Sequence, residues 1–449
     1  MFLRWLLTAL VAAGLQACGD NADVTDAAID VGLDAGLDAG RDAGLDSGRD
    51  ASRDTARDVD QIDATVDAAG WVRLPDVPLG CVVERATHPE RLFVPRWISC
   101  GDGCESLAPD DRWAWSVSSG SGGSDSSYTL LVLIAEERGV VNAPRTSLVV
   151  DVRRNEVVLA LREWSPRRST VCAVNRIGYS GGYVAYPLLL VDTEAGEEHS
   201  WIFHGPIETM KYVDDPVLKL DRDDLPGFGN VLQSTSASPT TAAFEVQPVG
   251  EVWIVEGGEV RRRAGVGSSV PGNPQSVALV GRRALWNEWR EDVRIVQATF
   301  DDDASVFHEV EGARLLFATD GVDLAWVQAY GWTGRGFSGP VELWTASYTD
   351  SATVGTPRMV RSEYDLPGSN AVLGGGLWVQ PDADGNLRLV HLEDGSQGRL
   401  LRPPGAIWLF SPVWVTRHEV GIAGRWVSDG RTTETFFRLA TTATETVEE

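Results

Sequence analysis

A tryptophan-bearing strand pattern that returns about every 40 to 50 residues constrains this chain more than any other feature. Ala284-Leu285-Trp286 is followed, after a turn, by Val293-Arg294-Ile295-Val296. Leu324-Ala325-Trp326-Val327 is followed by Val341-Glu342-Leu343-Trp344, and Leu377-Trp378-Val379 by Leu387-Arg388-Leu389-Val390. A fourth copy runs through Val413-Trp414-Val415 and Val420 to Ala423 to Phe436-Phe437-Arg438-Leu439. Each copy is a small set of antiparallel strands, and a set of that size cannot bury its two faces unless copies stack on one another.

The pattern extends to the rest of the chain after Gly70. Strand-like runs occupy Tyr128 to Ala135, Ser147 to Val152, Glu156 to Leu161, Tyr183 to Val191, Ala243 to Gln247 and Glu251 to Val255. Turn signals separate the runs, among them Glu256-Gly257-Gly258, Asp320-Gly321 and Asp384-Gly385. A Ser/Gly-rich loop from Ser118 to Ser127 reads as a long hairpin connection. The best helical stretch, Ile207 to Leu220, is interrupted by Pro216. These features predict an all-β fold, a β-propeller of about seven blades over residues 71–449. Tandem β-sandwiches are the alternative, and the absence of a composition break favours one ring. A ring leaves no open sheet edge if a strand from Trp71 to Val83 completes the C-terminal blade.

The N-terminus is of a different kind. Arg4 precedes an apolar run from Trp5 to Leu15, which is too short to span a membrane, and Leu15-Gln16-Ala17-Cys18 closes it. This resembles the lipobox signal of bacterial lipoproteins. The resemblance implies a signal peptide over residues 1–17 and acylation of Cys18, so that lipid would tie the chain to a membrane. Gly19 rather than Asp follows the cysteine, which by the family's sorting rule implies the outer membrane, on its periplasmic face or at the cell surface. Residues 18–70 read as an acidic low-complexity tether. Asp34, Asp38, Asp42, Asp46, Asp50, Asp54 and Asp58 recur every fourth residue with glycine among them, so like charges repel and helix is disfavoured. With no aromatic side chain to seed a core, this segment is expected to be disordered. The resemblance as a whole is to a lipoprotein that carries a propeller-like domain on such a tether.

Asp and Glu outnumber Lys and Arg by 65 to 39, for a net charge of −26, and only Lys211 and Lys219 are lysines. Such a surface argues against nucleic acid as a partner. Setting Cys18 aside, four cysteines remain: Cys81, Cys100, Cys104 and Cys172. In an exported chain they read as two disulfides, with three pairings open. A structural zinc is the lesser reading, because His88 alone lies near them in sequence.

No motif assigns chemistry, and neither a cofactor nor a metal site is called. Gly178-Tyr179-Ser180-Gly181-Gly182 matches G-x-S-x-G, but a strand follows where a nucleophile elbow needs a helix, so a hairpin turn is expected. His199 and His204 are five apart, which on a strand places them on opposite faces. Asp382-Ala383-Asp384-Gly385-Asn386 has the carboxylate spacing of a calcium loop without its later ligands, and Asp-Gly favours a tight turn. Of the 17 tryptophans, all but Trp5 follow residue 70. Most are expected to fill space between blades. Trp164, Trp201 and Trp332 have polar or Gly-rich neighbours and are the candidates for a ligand-facing rim. The function expected is a binding or scaffolding module for protein or glycan in the cell envelope. The alternative is a glycan-directed envelope hydrolase, with carboxylates brought together from different blades in the central pocket, and its catalytic residues cannot be assigned from sequence.

Overall fold

The computed structural model describes residues 69–449 except 93–95, 108–112, 123–128, 138–143, 226–230, 248–250, 264–276, 332–338, 348–354, 363–370, 442–444, 447–449 and a few single or paired positions. The expected signal, Cys18 and nearly all of the expected tether lie outside these residues. Four strands come first: β1 (Trp71–Arg73), β2 (Val82–Ala86), β3 (Trp97–Gly101) and β4 (Cys104–Leu107). Blade 1 follows with β5 (Trp113–Gly122), β6 (Thr129–Glu137), β7 (Arg145–Asp151) and β8 (Glu156–Trp164). Blade 2 holds β9 (Thr170–Val174), β10 (Gly178–Ser180), β11 (Tyr183–Asp192), β12 (Glu197–Pro206) and β13 (Leu218–Asp221). Blade 3 has β14 (Val231–Ala237), β15 (Thr241–Gln247), β16 (Glu251–Glu256) and β17 (Glu259–Arg263). Blade 4 has β18 (Val277–Val280), β19 (Arg283–Trp289), β20 (Asp292–Ala298) and β21 (Ser305–Glu311). Blade 5 has β22 (Ala313–Thr319), β23 (Asp323–Tyr330), β24 (Val341–Ser347) and β25 (Arg358–Arg361). Blade 6 has β26 (Val372–Gly374), β27 (Leu377–Pro381), β28 (Leu387–His391) and β29 (Gln397–Leu400). Blade 7 has β30 (Ala406–Val415), β31 (Glu419–Ser428) and β32 (Arg431–Ala440), and β33 (Glu445–Thr446) ends the series. All strand pairs are antiparallel, and they form seven separate sheets.

The seven sheets make one ring. The first strands β5, β10, β14, β18, β22, β26 and β30 each touch the next, and β30 touches β5. The buried apolar side chains fall into seven clusters, one between each pair of neighbouring blades. Alternation along the second strand of a blade explains how two such clusters are fed at once. Tyr186, Phe244, Trp286, Trp326 and Trp378 face the preceding blade, whereas the residue before each of them, Ala185, Ala243, Leu285, Ala325 and Leu377, faces the following one. The tryptophan repeat is therefore a large ring on one face and a smaller side chain on the other. The three indoles of this repeat also satisfy their N–H within the strand: Trp286 donates to Glu288, Trp326 to Gln328 and Trp378 to Gln380.

The ring closes differently from the sequence expectation. Trp71 to Val83 does not complete the last blade. Instead β2 pairs with β8 and β1 with β2, which extends the outer edge of blade 1. The C-terminal blade is completed by β4, paired with β32, and by β3 beyond it. The side chains account for this. Val83 and Cys81 belong to the core between blades 1 and 2. Cys104 and Leu107, three apart and so on opposite faces, serve the cores on either side of blade 7. Arg438 on β32 binds Glu105 on β4 and lies 4.7 Å from the centre of the Trp97 ring on β3. The Ser/Gly-rich segment also differs from expectation, since Ser118 to Gly122 continues β5 as strand. Between Ile207 and Leu220 a single helical turn, α1 (Ile207–Met210), precedes β13.

Two disulfides resolve the open pairing. Cys81 joins Cys172 across blades 1 and 2, with Cα atoms 6.0 Å apart. Cys100 joins Cys104 within the β3–β4 hairpin, with Cα atoms 5.2 Å apart.

Where first strands crowd together, a side chain has no room. A Cβ on Gly374 of β26 would lie 2.1 Å from the carbonyl oxygen of Val415 on β30, and a backbone oxygen cannot swing aside. Gly374→Ala is expected to destabilise the chain by about 1–3 kcal/mol. Urea denaturation followed by tryptophan fluorescence measures this, and an unchanged midpoint would show that blades 6 and 7 can separate at no cost.

Candidate functional site

The three tryptophan candidates are not brought together. Trp201, on β12, is 4 % exposed in the core between blades 1 and 2, with the Lys219 ammonium 4.6 Å from its ring centre. It does not line a rim, because its position in the alternation of β12 points it inward. Trp332 lies outside the described residues. Trp164, the last residue of β8, is 40 % exposed.

Trp164 overlooks an open groove of about 390 Å³, lined by Val82, Glu84, Pro144, Arg162 and Trp164. The strand register builds it. Val82 lies opposite Trp164 and Glu84 opposite Arg162, so all four side chains share one face of blade 1. Farther along that face, Ala86 and Ala160 are covered by blade 7. The groove is the uncovered outer continuation of the same surface. Arg162 donates through Nε at 2.7 Å and through Nη2 to a single carboxylate oxygen, Oε2 of Glu84. Its guanidinium carbon stands 4.6 Å from the centre of the Trp71 ring on β1, which fixes the planar group from below. Arrayed here are an exposed indole, a proline wall and a paired cation and anion.

Sequence reasoning found Trp164 and missed its partners. Glu84 and Arg162 are 78 positions apart. No local spacing links them, because five strands, β3 to β7, lie between β2 and β8 in the chain. The alternation of Val82 with Glu84 and of Arg162 with Trp164 was visible, but which strands pair was not.

The other motifs resolve as structure. Gly178, Tyr179 and Ser180 form β10, paired antiparallel with Ala185, Val184 and Tyr183 of β11, so the serine sits in a strand pair and not before a helix. His199 Nδ1 meets Asp221 at 2.7 Å while His204 Nε2 meets the Ser238 carbonyl at 2.7 Å, so the two imidazoles serve different neighbours. Asp382 accepts the backbone N–H groups of Asp384 and Asn386, and Arg399 bridges Asp382 and Asp384. That carboxylate pair shares one cation, supplied by β29. Among the described residues no group of three His, Cys, Asp or Glu side chains is placed to hold a metal ion.

Among the described residues three carboxylates have a raised pKa, and each belongs to a packing feature. Burial pushes Glu163 up to about 7, with Arg145, the Val174 backbone and Ser147 opposing, in the seam between blades 1 and 2. Burial also raises Asp320, which accepts N–H groups from Val322 and Asp323 in its turn and from Gly375 in blade 6. Burial raises Glu419 against the pull of Arg438, at the ring closure. Between blades 4 and 5 a polar cluster closes on itself: His308 meets Gln328, and Glu342 accepts from Gln328, Tyr330 and Trp344.

No family model matches the chain, and no curated protein matches it. Solved structures do. A prolyl endopeptidase superposes with a TM-score of 0.47 at 12% identity over 75% of this chain and 48% of its own. The chain thus spans about half the length of that protein. The β-propeller domain of the trilobed protease from Pyrococcus furiosus gives 0.45 at 12% identity, over 76% of this chain and 97% of its own. BamB from Moraxella catarrhalis gives 0.38 at 12% identity, over 77% and 96%. Likeness at this level concerns the fold alone.

Proposed function

We propose that this chain is a lipid-anchored protein of the cell envelope whose seven-bladed propeller is a binding module for protein or glycan. The observation that carries the binding part is the groove under Trp164. An indole left 40 % exposed beside an ordered Arg–Glu pair is a surface that gains by being covered. The anchoring part rests on Arg4, the apolar run from Trp5 to Leu15, and Leu15-Gln16-Ala17-Cys18-Gly19. The 65 acidic residues keep the surface away from polyanions.

Cys18→Ala is expected to move the protein from the membrane pellet to the soluble fraction and to abolish incorporation of a clickable palmitate analogue. Full membrane retention by that variant would sink the anchor. Trp164→Ala tests binding, and the ligand it is tested with follows from the groove's chemistry.

A further inference from the structure

We infer that the groove formed by Trp164, Arg162 and Glu84 is a subsite for a neutral pyranose ring of a glycan; this rests on the binding-module reading and names its ligand. Its volume of about 390 Å³ lies at the lower end of the range for ligand clefts, roughly 300–1,000 Å³. Four constraints select the ligand class.

The first is the platform. The exposed face of Trp164 offers an apolar surface to the C–H side of a sugar ring, with Val82 and Pro144 beside it. The second is the polar pair. Both bonds from Arg162 go to Oε2 of Glu84, so Glu84 Oε1 remains to accept and Arg162 Nη1 remains to donate. An acceptor beside a donor matches neighbouring hydroxyls on one ring, each of which both gives and takes a hydrogen bond. The side chains of Arg162 and Glu84 are each 25% exposed, enough to be reached while sheltered from bulk water. The Trp71 ring under Arg162 holds the fork in place before any ligand arrives, which lowers the ordering cost of binding.

The third constraint is charge. The guanidinium and the carboxylate cancel, so the groove favours neither an anion nor a cation, and the protein's net charge of −26 further disfavours an anion. The fourth is the floor. β2 is paired on both sides, with β1 and β8, and β8 with β2 and β7. An extended peptide gains affinity by adding to a free strand edge. The groove floor offers none, so recognition there must come from side chains.

The test uses the full chain in a polyoxyethylene detergent, which carries no sugar. The probes are cellohexaose, maltohexaose, chitohexaose and xylohexaose, with polygalacturonate as the charged control. Binding is read by calorimetry and by tryptophan fluorescence. At least one neutral probe is expected to bind saturably. Trp164→Ala and Glu84→Gln should each weaken that binding by about tenfold or more, while Trp164→Phe retains it within about threefold. Unchanged thermal midpoints certify that the variants are folded. Binding that these variants do not alter overturns the assignment, as does a preference for polygalacturonate. If every glycan fails, yet a random peptide library yields sequences held by the wild type and not by Trp164→Ala, the sugar inference falls and the binding module stands. If neither glycan nor peptide depends on Trp164, both fall.

Discussion

Replacing Cys81 and Cys172 together by alanine is expected to lower the unfolding free energy by about 4–5 kcal/mol, from the closure entropy of the 91-residue loop they span. Replacing Cys100 and Cys104 removes a loop of only four positions and should cost about 2 kcal/mol. The contrast is the test, since both pairs are disulfides in the same domain. The longer one ties blade 1 to blade 2, with Cys81 wholly buried and Cys172 nearly so in their shared core. The shorter one lies within a hairpin that β4 already fastens to β32 through three paired residues. Guanidinium titrations of the two double variants under non-reducing conditions would order them. Equal losses would mean that the unfolded chain is not constrained by loop length, and that the packing around each bridge sets its worth.

Glu163→Gln should remove a pH dependence rather than a contact. The carboxyl is buried in the seam between blades 1 and 2 and has its pKa raised from 4.5 to about 7 by burial, with Arg145, the Val174 backbone and Ser147 opposing. Arg85, on β2 of the same blade, and Tyr186, on β11 across the seam, are its neighbours there. Because the folded-state value is the higher one, the folded protein holds this proton over a range in which the unfolded chain has lost it. The associated stability is fully present below about pH 4.5 and is lost as pH rises through about 7. At 1.36 kcal/mol per pKa unit the total is about 3 kcal/mol. Asp320 and Glu419, also raised by burial, act in the same direction, so the isolating quantity is wild type minus variant. That difference is expected to fall by about 2.5 kcal/mol between pH 5 and pH 8, in favour of the variant at the higher pH. Parallel pH–stability curves for the two proteins would show that Glu163 is solvated or stays ionised.

The cores were legible because they are written locally. A tryptophan with a small or aliphatic neighbour before it marks the second strand of blades 4, 5 and 6, and the two faces of one strand can be read from adjacent letters. Blades 2 and 3 were harder to read, because Tyr186 and Phe244 take the place of tryptophan at that position. Turn chemistry was equally local: Asp320 and Asp382 accept from backbone groups two to four residues on. What could not be read was pairing between strands far apart in sequence. The choice of β3 and β4 over residues 71–83 for ring closure depends on Leu107 and Cys104 facing two different blades, and on the reach of Arg438 to Glu105. The candidate groove fails to show in the sequence for the same reason. Trp164 is conspicuous, but Glu84 becomes its neighbour only once β2 has come to lie against β8.

The disulfide between Cys81 and Cys172 also governs how the molecule bears load. A pull on the N-terminal side enters at Ala69 and Gly70 and reaches β1, three residues held to β2 one hydrogen-bonded rung at a time. That short strand can be peeled like a zip. Beyond it the tension meets Cys81, and from there a covalent bond carries it into β9 and so to blade 2. Strand β2 and the rest of blade 1 are thereby shielded. The stretch before Cys81 is a sacrificial leader, and Trp71, which underlies Arg162 at the groove, sits within it. Tension on the leader would strip the support from beneath the guanidinium while leaving the ring intact, so the groove would slacken under strain well before the propeller opened.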